Sequence, residues 1–240
     1  NTKIIYKADK KFYTSSKVHY GTRIIFDEKN YLYFSIGDRG ERKEAQSLRT
    51  PNGKIHRLND DGSIPKDNPF INQKGAIKSI WTYGNRNPQG LAINPESYII
   101  YETEHGPKGG DELNILLRGN NYGWPEITYG KNYTGTKITN YTHKEGMEQP
   151  VIHWTPSIAV CGIDFYDGKI FNNWKNNLLV TSLKFENLYR LEIKNKKVIE
   201  QELILSAGYR IRDVETGPDG FIYLAIEDPG RIIRLRPLKK

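Results

Sequence analysis

An all-β fold assembled from repeated sheets is predicted by three observations on this 240-residue chain. The first is recurrence. Leu32-Tyr33-Phe34-Ser35-Ile36-Gly37-Asp38, Ile99-Ile100-Tyr101-Glu102-Thr103-Glu104-His105 and Ile222-Tyr223-Leu224-Ala225-Ile226-Glu227-Asp228 share an apolar run with a polar end, and Leu178 to Lys184 is a weaker fourth copy. The second is punctuation by turn-forming clusters, Asp27 to Asn30, Asn94 to Ser97 and Gly217 to Gly220, ahead of the three clear copies. The third is that no stretch of a dozen residues carries an i, i+3, i+4, i+7 apolar stripe.

Taken along the chain, Ile24-Ile25-Phe26 is a continuous apolar run, as a strand covered on both faces requires. The first copy follows, and then Ile55-His56-Arg57-Leu58. Asn59 to Lys78 is a polar insertion. The second copy leads to Leu113-Asn114-Ile115-Leu116, and Asn120 to Pro150 is a second insertion, rich in Gly, Asn, Tyr and Pro. Loops of this kind carry function on a rigid scaffold. The third clear copy, Ile222 to Asp228, leads to Ile232-Ile233-Arg234-Leu235. Centres of successive copies lie 67, 80 and 43 residues apart. The shortest interval matches the roughly 40–45 residues of one four-stranded propeller blade, and the longer ones are blades with insertions.

Upstream of the three clear copies stand His19, Arg86 and Arg210, at offsets of 14, 14 and 13 residues. Radial symmetry would bring such positions to one face; the plainer alternative is a set of solvated rim residues. Gly84-Asn85-Arg86-Asn87-Pro88-Gln89-Gly90 sets a cation and amides between glycines. Arg210 and Arg212 lie at i, i+2, on one face of a strand, and Lys184 ends the weaker copy. A compact set of cations and amides suits a multiply anionic ligand with carboxylates, because the arginine fork binds carboxylate bidentately. Glu104-His105-Gly106-Pro107-Lys108-Gly109-Gly110-Asp111-Glu112 joins irregular backbone to two carboxylates, Asp111 and Glu112. Calcium uses such carbonyl and carboxylate oxygens; a plain glycine-rich turn is the alternative. His105 has no second His or Cys at zinc spacing.

Composition sets outer limits. The formal charge is +8, from 36 basic and 28 acidic side chains. The lysines are scattered (Lys7, Lys10, Lys11, Lys29, Lys74, Lys194, Lys196, Lys197, Lys239, Lys240), which favours solvated surface over the continuous stripe that nucleic acid prefers. The one cysteine, Cys161, excludes an internal disulfide. No run of 18 apolar residues is present to span a membrane as a helix.

These motifs, with Asn121-Tyr122-Gly123-Trp124-Pro125, Asp61 to Pro69 and Arg210 to Val214, resemble the soluble pyrroloquinoline-quinone (PQQ)-dependent aldose sugar (glucose/sorbosone) dehydrogenase family from about His19 to Arg236. The resemblance implies a six-bladed β-propeller with a quinone in a funnel. It also implies that residues 1–240 form a single propeller domain or fragment of four to five blades, lacking the family's first blade. By resemblance, His19 matches the general base and Asp38 an acidic residue near it. Arg86 and Asn87 match residues beside the quinone, with Gln89 in the same motif. Lys184, Arg210 and Arg212 match cations that hold its carboxylates. Gly106 and Pro107 match the carbonyl ligands of a cofactor-bound calcium, with Asp111 and Glu112 as further candidates. The implied reaction is oxidation of an aldose at C1 to the lactone, with electrons passed to an external acceptor. The implied compartment is periplasmic or secreted. Val18 stands where some members carry Asp, and Asn85 where members often carry His. The alternative is a non-catalytic propeller binding module of the same descent.

Overall fold

The structure is a computed structural model and describes residues 2–237; Lys239 and Lys240, counted above among the surface lysines, lie outside them. Among the described residues, fifteen strands form four antiparallel sheets, each taken from consecutive strands. The first is β1 (Ile24–Phe26), β2 (Leu32–Ile36), β3 (Lys54–Leu58) and β4 (Ile80–Tyr83). The second is β5 (Pro88–Ile93), β6 (Ile100–Glu104), β7 (Asp111–Ile115) and β8 (Ile152–Trp154). The third is β9 (Val160–Phe165), β10 (Leu178–Ser182), β11 (Asn187–Lys194) and β12 (Lys197–Ser206). The fourth is three-stranded: β13 (Ile211–Thr216), β14 (Ile222–Ile226) and β15 (Arg231–Leu235). All four repeat copies fall on the second strand of a sheet, β2, β6, β10 and β14. The recurring sequence unit is therefore one meander, as a propeller-type fold requires.

The chain divides into two compact units, Asn1–Pro88 with Leu116–Gln149, and Gln89–Ile115 with Pro150–Lys240. In the first, Leu32, Phe34 and Leu58 form a core against Tyr6 and Ile36. Phe34 stacks on the buried His56 ring at 5.0 Å, cross-strand in register. The Asn59 to Lys78 insertion is pinned by Arg57, whose guanidinium lies 3.6 Å from the Tyr31 ring centre and bonds Asp67 at 2.9 Å. In the second unit, Tyr101, Leu113, Val160, Phe165, Leu178 and Leu191 belong to one core cluster. Tyr166, Leu179, Leu188, Val214 and Leu224 belong to another, which joins the third sheet to the fourth. Each fully buried aliphatic side chain contributes about 1.5–3 kcal/mol.

Candidate active site

In the first unit, His19 precedes β1 and Asp38 follows β2. The His19 Nδ1 stands 2.6 Å from Asp38 Oδ1, with the Asp38 side chain fully buried and the imidazole 18% exposed. An ionised carboxylate at Nδ1 selects the neutral tautomer with its proton on that nitrogen, which leaves Nε2 as a lone-pair base. Burial works to raise the Asp38 carboxyl. His19, the Gly40 amide and the Trp124 indole outweigh it and hold the group below its usual range. Gly40 N–H donates to Oδ1 at 2.8 Å, and the Asp38 amide donates to the Arg86 carbonyl at 2.8 Å.

The backbone is set for this contact at some cost. His19 has φ +53°, the left-handed region that a branched-free but bulky side chain rarely occupies. Gly37 lies directly under it: a Cβ at that position would fall 2.2 Å from the His19 carbonyl oxygen. Gly37→Ala is expected to displace the His19 backbone. It should break the pair with Asp38 and lower stability by about 1–3 kcal/mol, measured by thermal melting alongside the histidine ring NMR signals.

Arg86 and Asn87 are buried in the same unit. The Asn87 side-chain oxygen accepts from the Gly21 amide at 3.2 Å, and the Arg86 guanidinium lies 5.3 Å from the Trp124 ring centre. Asn85 is fully buried and accepts from Thr82 Oγ1. On the Tyr20 and Arg39 flank of the His19 segment a cavity of about 310 Å³ opens, lined also by Phe12 and Tyr13.

In the second unit, Arg212 Nη1 reaches Gln89 Oε1 at 3.4 Å and Cys161 Sγ at 3.7 Å. Its Nη2 pairs with Glu227 at 2.6 Å, and Arg210 Nε meets the same carboxylate at 3.2 Å. The two arginines do share a face, although Arg210 lies just before β13. Lys184 is not in this set: it is exposed on the turn after β10, with Nζ 5.3 Å from the Phe185 ring centre.

The turn from Glu104 to Asp111 is drawn tight. A Cβ on Gly106 would fall 2.2 Å from the carbonyl oxygens of Gly109 and Gly110, so only glycine fits. Asp111 braces this turn. Its carboxylate accepts from the Gly106 amide at 2.9 Å, from Ser157 Oγ at 2.8 and 2.9 Å and from the Val160 amide at 3.2 Å. Both of its oxygens are thus engaged by protein donors. Glu112 belongs to a different group. The Asn114 side-chain amide lies 3.1 Å from Glu102, 3.5 Å from Glu104 and 3.4 Å from Glu112. Burial, then the charge of Glu104, pushes Glu102 and Glu112 well above the usual carboxyl range. Glu102 Oε1 and Asn114 Oδ1 are buried acceptors with no hydrogen-bond donor among the described residues. No group of three His, Cys, Asp or Glu side chains spaced to hold a metal occurs among the described residues.

Glu102, Asn114, Glu227 and the indole of Trp124 had no role in the sequence reading. Glu102 and Asn114 were within reach of it. They are direct cross-strand partners, as are Glu104 and Glu112, so period-2 alternation on two paired strands puts all four on one face.

The sequence profile of the glucose/sorbosone dehydrogenases matches residues 1–234. The chain belongs to that family. Aldose sugar dehydrogenase YliI of Escherichia coli K12 is 46% identical over 223 residues, covering 91% of this chain and 60% of the relative. A crystal structure of a glucose dehydrogenase superposes with a TM-score of 0.94 at 41% identity, covering 98% of this chain and 69% of that one. The PQQ-bound form of aldose sugar dehydrogenase from Streptomyces coelicolor gives 0.73 at 28% identity, covering 91% and 62%. The chain thus spans about 60% of the length of the curated Escherichia coli relative.

Proposed function

We propose that this chain oxidises aldose sugars at C1 to the lactone, using PQQ with calcium, as part of a six-bladed β-propeller dehydrogenase. The observation that carries the reading is the 2.6 Å pair of His19 and Asp38. Neutral His19 accepts the C1 hydroxyl proton at Nε2. Buried Asp38 keeps the ring in the required tautomer and stabilises the imidazolium that forms. Arg86 and Asn87 lie in the same unit, where the Arg86 carbonyl accepts from the Asp38 amide and the Asn87 side chain from the Gly21 amide.

The residues present fit the cofactor. Arg210 and Arg212, with Gln89, supply forks and an amide for its carboxylates, and Lys184 adds an exposed cation. Gly106 and Pro107 supply carbonyl oxygens for calcium. Asp111 holds their turn in shape through the Gly106 amide. Asp111 and Glu112 are the carboxylate candidates beside those carbonyls; the described residues hold no group of three acidic or His/Cys side chains spaced for a metal, so the calcium would rest on the two carbonyls together with the cofactor itself. When bound, the quinone supplies the two-electron acceptor for the sugar's C1 hydride. Turnover would require an external electron acceptor. A periplasmic or secreted location follows from the family resemblance.

Titrating the purified protein with PQQ and calcium tests this. The expected result is saturable uptake that raises the melting temperature, followed by reduction of an artificial dye on adding aldoses. Uptake without dye reduction would leave a binding module; no uptake would overturn the proposal.

A further inference from the structure

We propose that Trp124 is a positioning residue for the His19–Asp38 pair, an assignment that rests on reading His19 as the proton acceptor. Trp124 lies 86 residues from Asp38, yet its indole Nε1–H donates to Asp38 Oδ2 at 2.8 Å, the oxygen that His19 does not use. Both side chains are buried, at 4% and 0% exposure. Without that N–H, one oxygen of a buried carboxylate would have no donor on this side. With it, the carboxylate plane is fixed from both ends, and Oδ1 stays aimed at His19 Nδ1.

The indole is itself held. The Trp124 amide donates to the Gly84 carbonyl at 2.8 Å, and Gln46 Nε2 donates to the Trp124 carbonyl at 2.7 Å. Gln46 is tied in turn to Asn121 by two reciprocal hydrogen bonds between their side-chain amides, of 3.0 and 2.8 Å. The guanidinium groups of Arg42 and Arg86 lie 5.5 and 5.3 Å from the ring centre. Because the Arg86 carbonyl also accepts from the Asp38 amide, Arg86, Asp38 and Trp124 close a ring of contacts. The charged groups that bear on Asp38 are His19 and Lys54, whose own titration responds to Asp38, while the two arginines lie about the indole. A phenylalanine would keep an aromatic ring in this buried position, with a smaller volume and without the donor. What distinguishes tryptophan here is one hydrogen bond to the carboxylate behind the base.

The test is the titration of the Asp38 carboxyl carbon by NMR in the wild type and in Trp124→Phe, which needs no turnover. Loss of the donor is expected to raise the Asp38 midpoint by about half a unit or more. In sugar oxidation, the acid limb of kcat/KM is expected to move to higher pH and kcat to fall about tenfold with KM little changed. A lower melting temperature with an unmoved Asp38 midpoint would overturn the assignment. If Trp124→Phe does not fold, the wild-type indole proton decides: its chemical shift must track the Asp38 titration, and independence overturns the proposal. If the wild type oxidises no sugar, the functional reading falls, and the Asp38 titration still judges the role of Trp124.

Discussion

His19→Gln is expected to lower the sugar-oxidation rate about a thousandfold while leaving PQQ uptake intact. Glutamine keeps a polar side chain of similar reach and can still donate to Asp38. It offers no group that accepts a proton near neutral pH. The loss should appear in kcat, because the proton moves only in the transition state, and KM should change little. Stopped-flow reduction with saturating sugar would show it. A variant within tenfold of the wild type would remove His19 from the chemistry. Melting curves guard against a trivial explanation, since glutamine must also occupy the left-handed backbone position at residue 19.

Lys54→Met is expected to be the most damaging single change to stability in the first unit. The Lys54 side chain is fully buried in β3. Its ammonium donates to the carbonyls of Glu44, Ala45 and Asn52 at 2.8, 2.9 and 2.6 Å. Those carbonyls belong to the short 3-10 helix Arg42–Gln46 and to the turn before β3. Methionine fills the volume and leaves three buried acceptors unpaired, each at about 1–3 kcal/mol. A net loss of about 3 kcal/mol or more corresponds to roughly 6–12 °C in melting temperature. The pH dependence gives a second reading. Burial, opposed by the charges of Glu44 and Asp38, pushes Lys54 down to about 7 from 10.5. Between those values the unfolded chain holds a proton that the folded chain has released. Wild-type stability therefore gains as pH rises from about 7 towards about 10.5. The methionine variant loses that gain. Denaturant melts across this range would refute the assignment if the two proteins showed parallel pH curves.

Much of the sheet architecture was legible because β2, β6, β10 and β14 repeat one pattern, an apolar run ending in a polar residue. β2, β6 and β10 are buried on both faces, and β14 buries Ile222, Leu224 and Ile226 with Tyr223 and Ala225 half-buried, so packing shapes their sequences. The strands farther out were harder to see. β12 (Lys197–Ser206) leaves Ile199 and Leu203 more than half exposed among charged neighbours, and its sequence shows no buried face. β8 (Ile152–Trp154) is three residues long and follows the long insertion, so nothing local announces it. The 3-10 helix Arg42–Gln46 is held from outside by Lys54, and no helical periodicity marks it.

The candidate site divides in the same way. That His19 and Asp38 belong together came from family resemblance, and spacing alone did not require it. Arg210 and Arg212 were placed on one face by strand periodicity, yet the carboxylate that joins them, Glu227, was read only as part of a repeat. Asp111 looked like a hard-cation ligand because its neighbours are glycines. Its engagement by Ser157 and Val160 depends on a contact 46 residues and more away, which no local pattern reveals. Long-range partners of buried polar groups are what a single sequence conceals best.

Among the described residues, each sheet takes its strands consecutively from one stretch of the polypeptide. Residues 24–83, 88–154, 160–206 and 211–235 each complete a meander before the next begins. During synthesis, then, the described strands of each sheet are all available as soon as their own segment leaves the ribosome. Pairing partners lie near in sequence, which keeps loop-closure entropy small and assembly fast for an all-β chain.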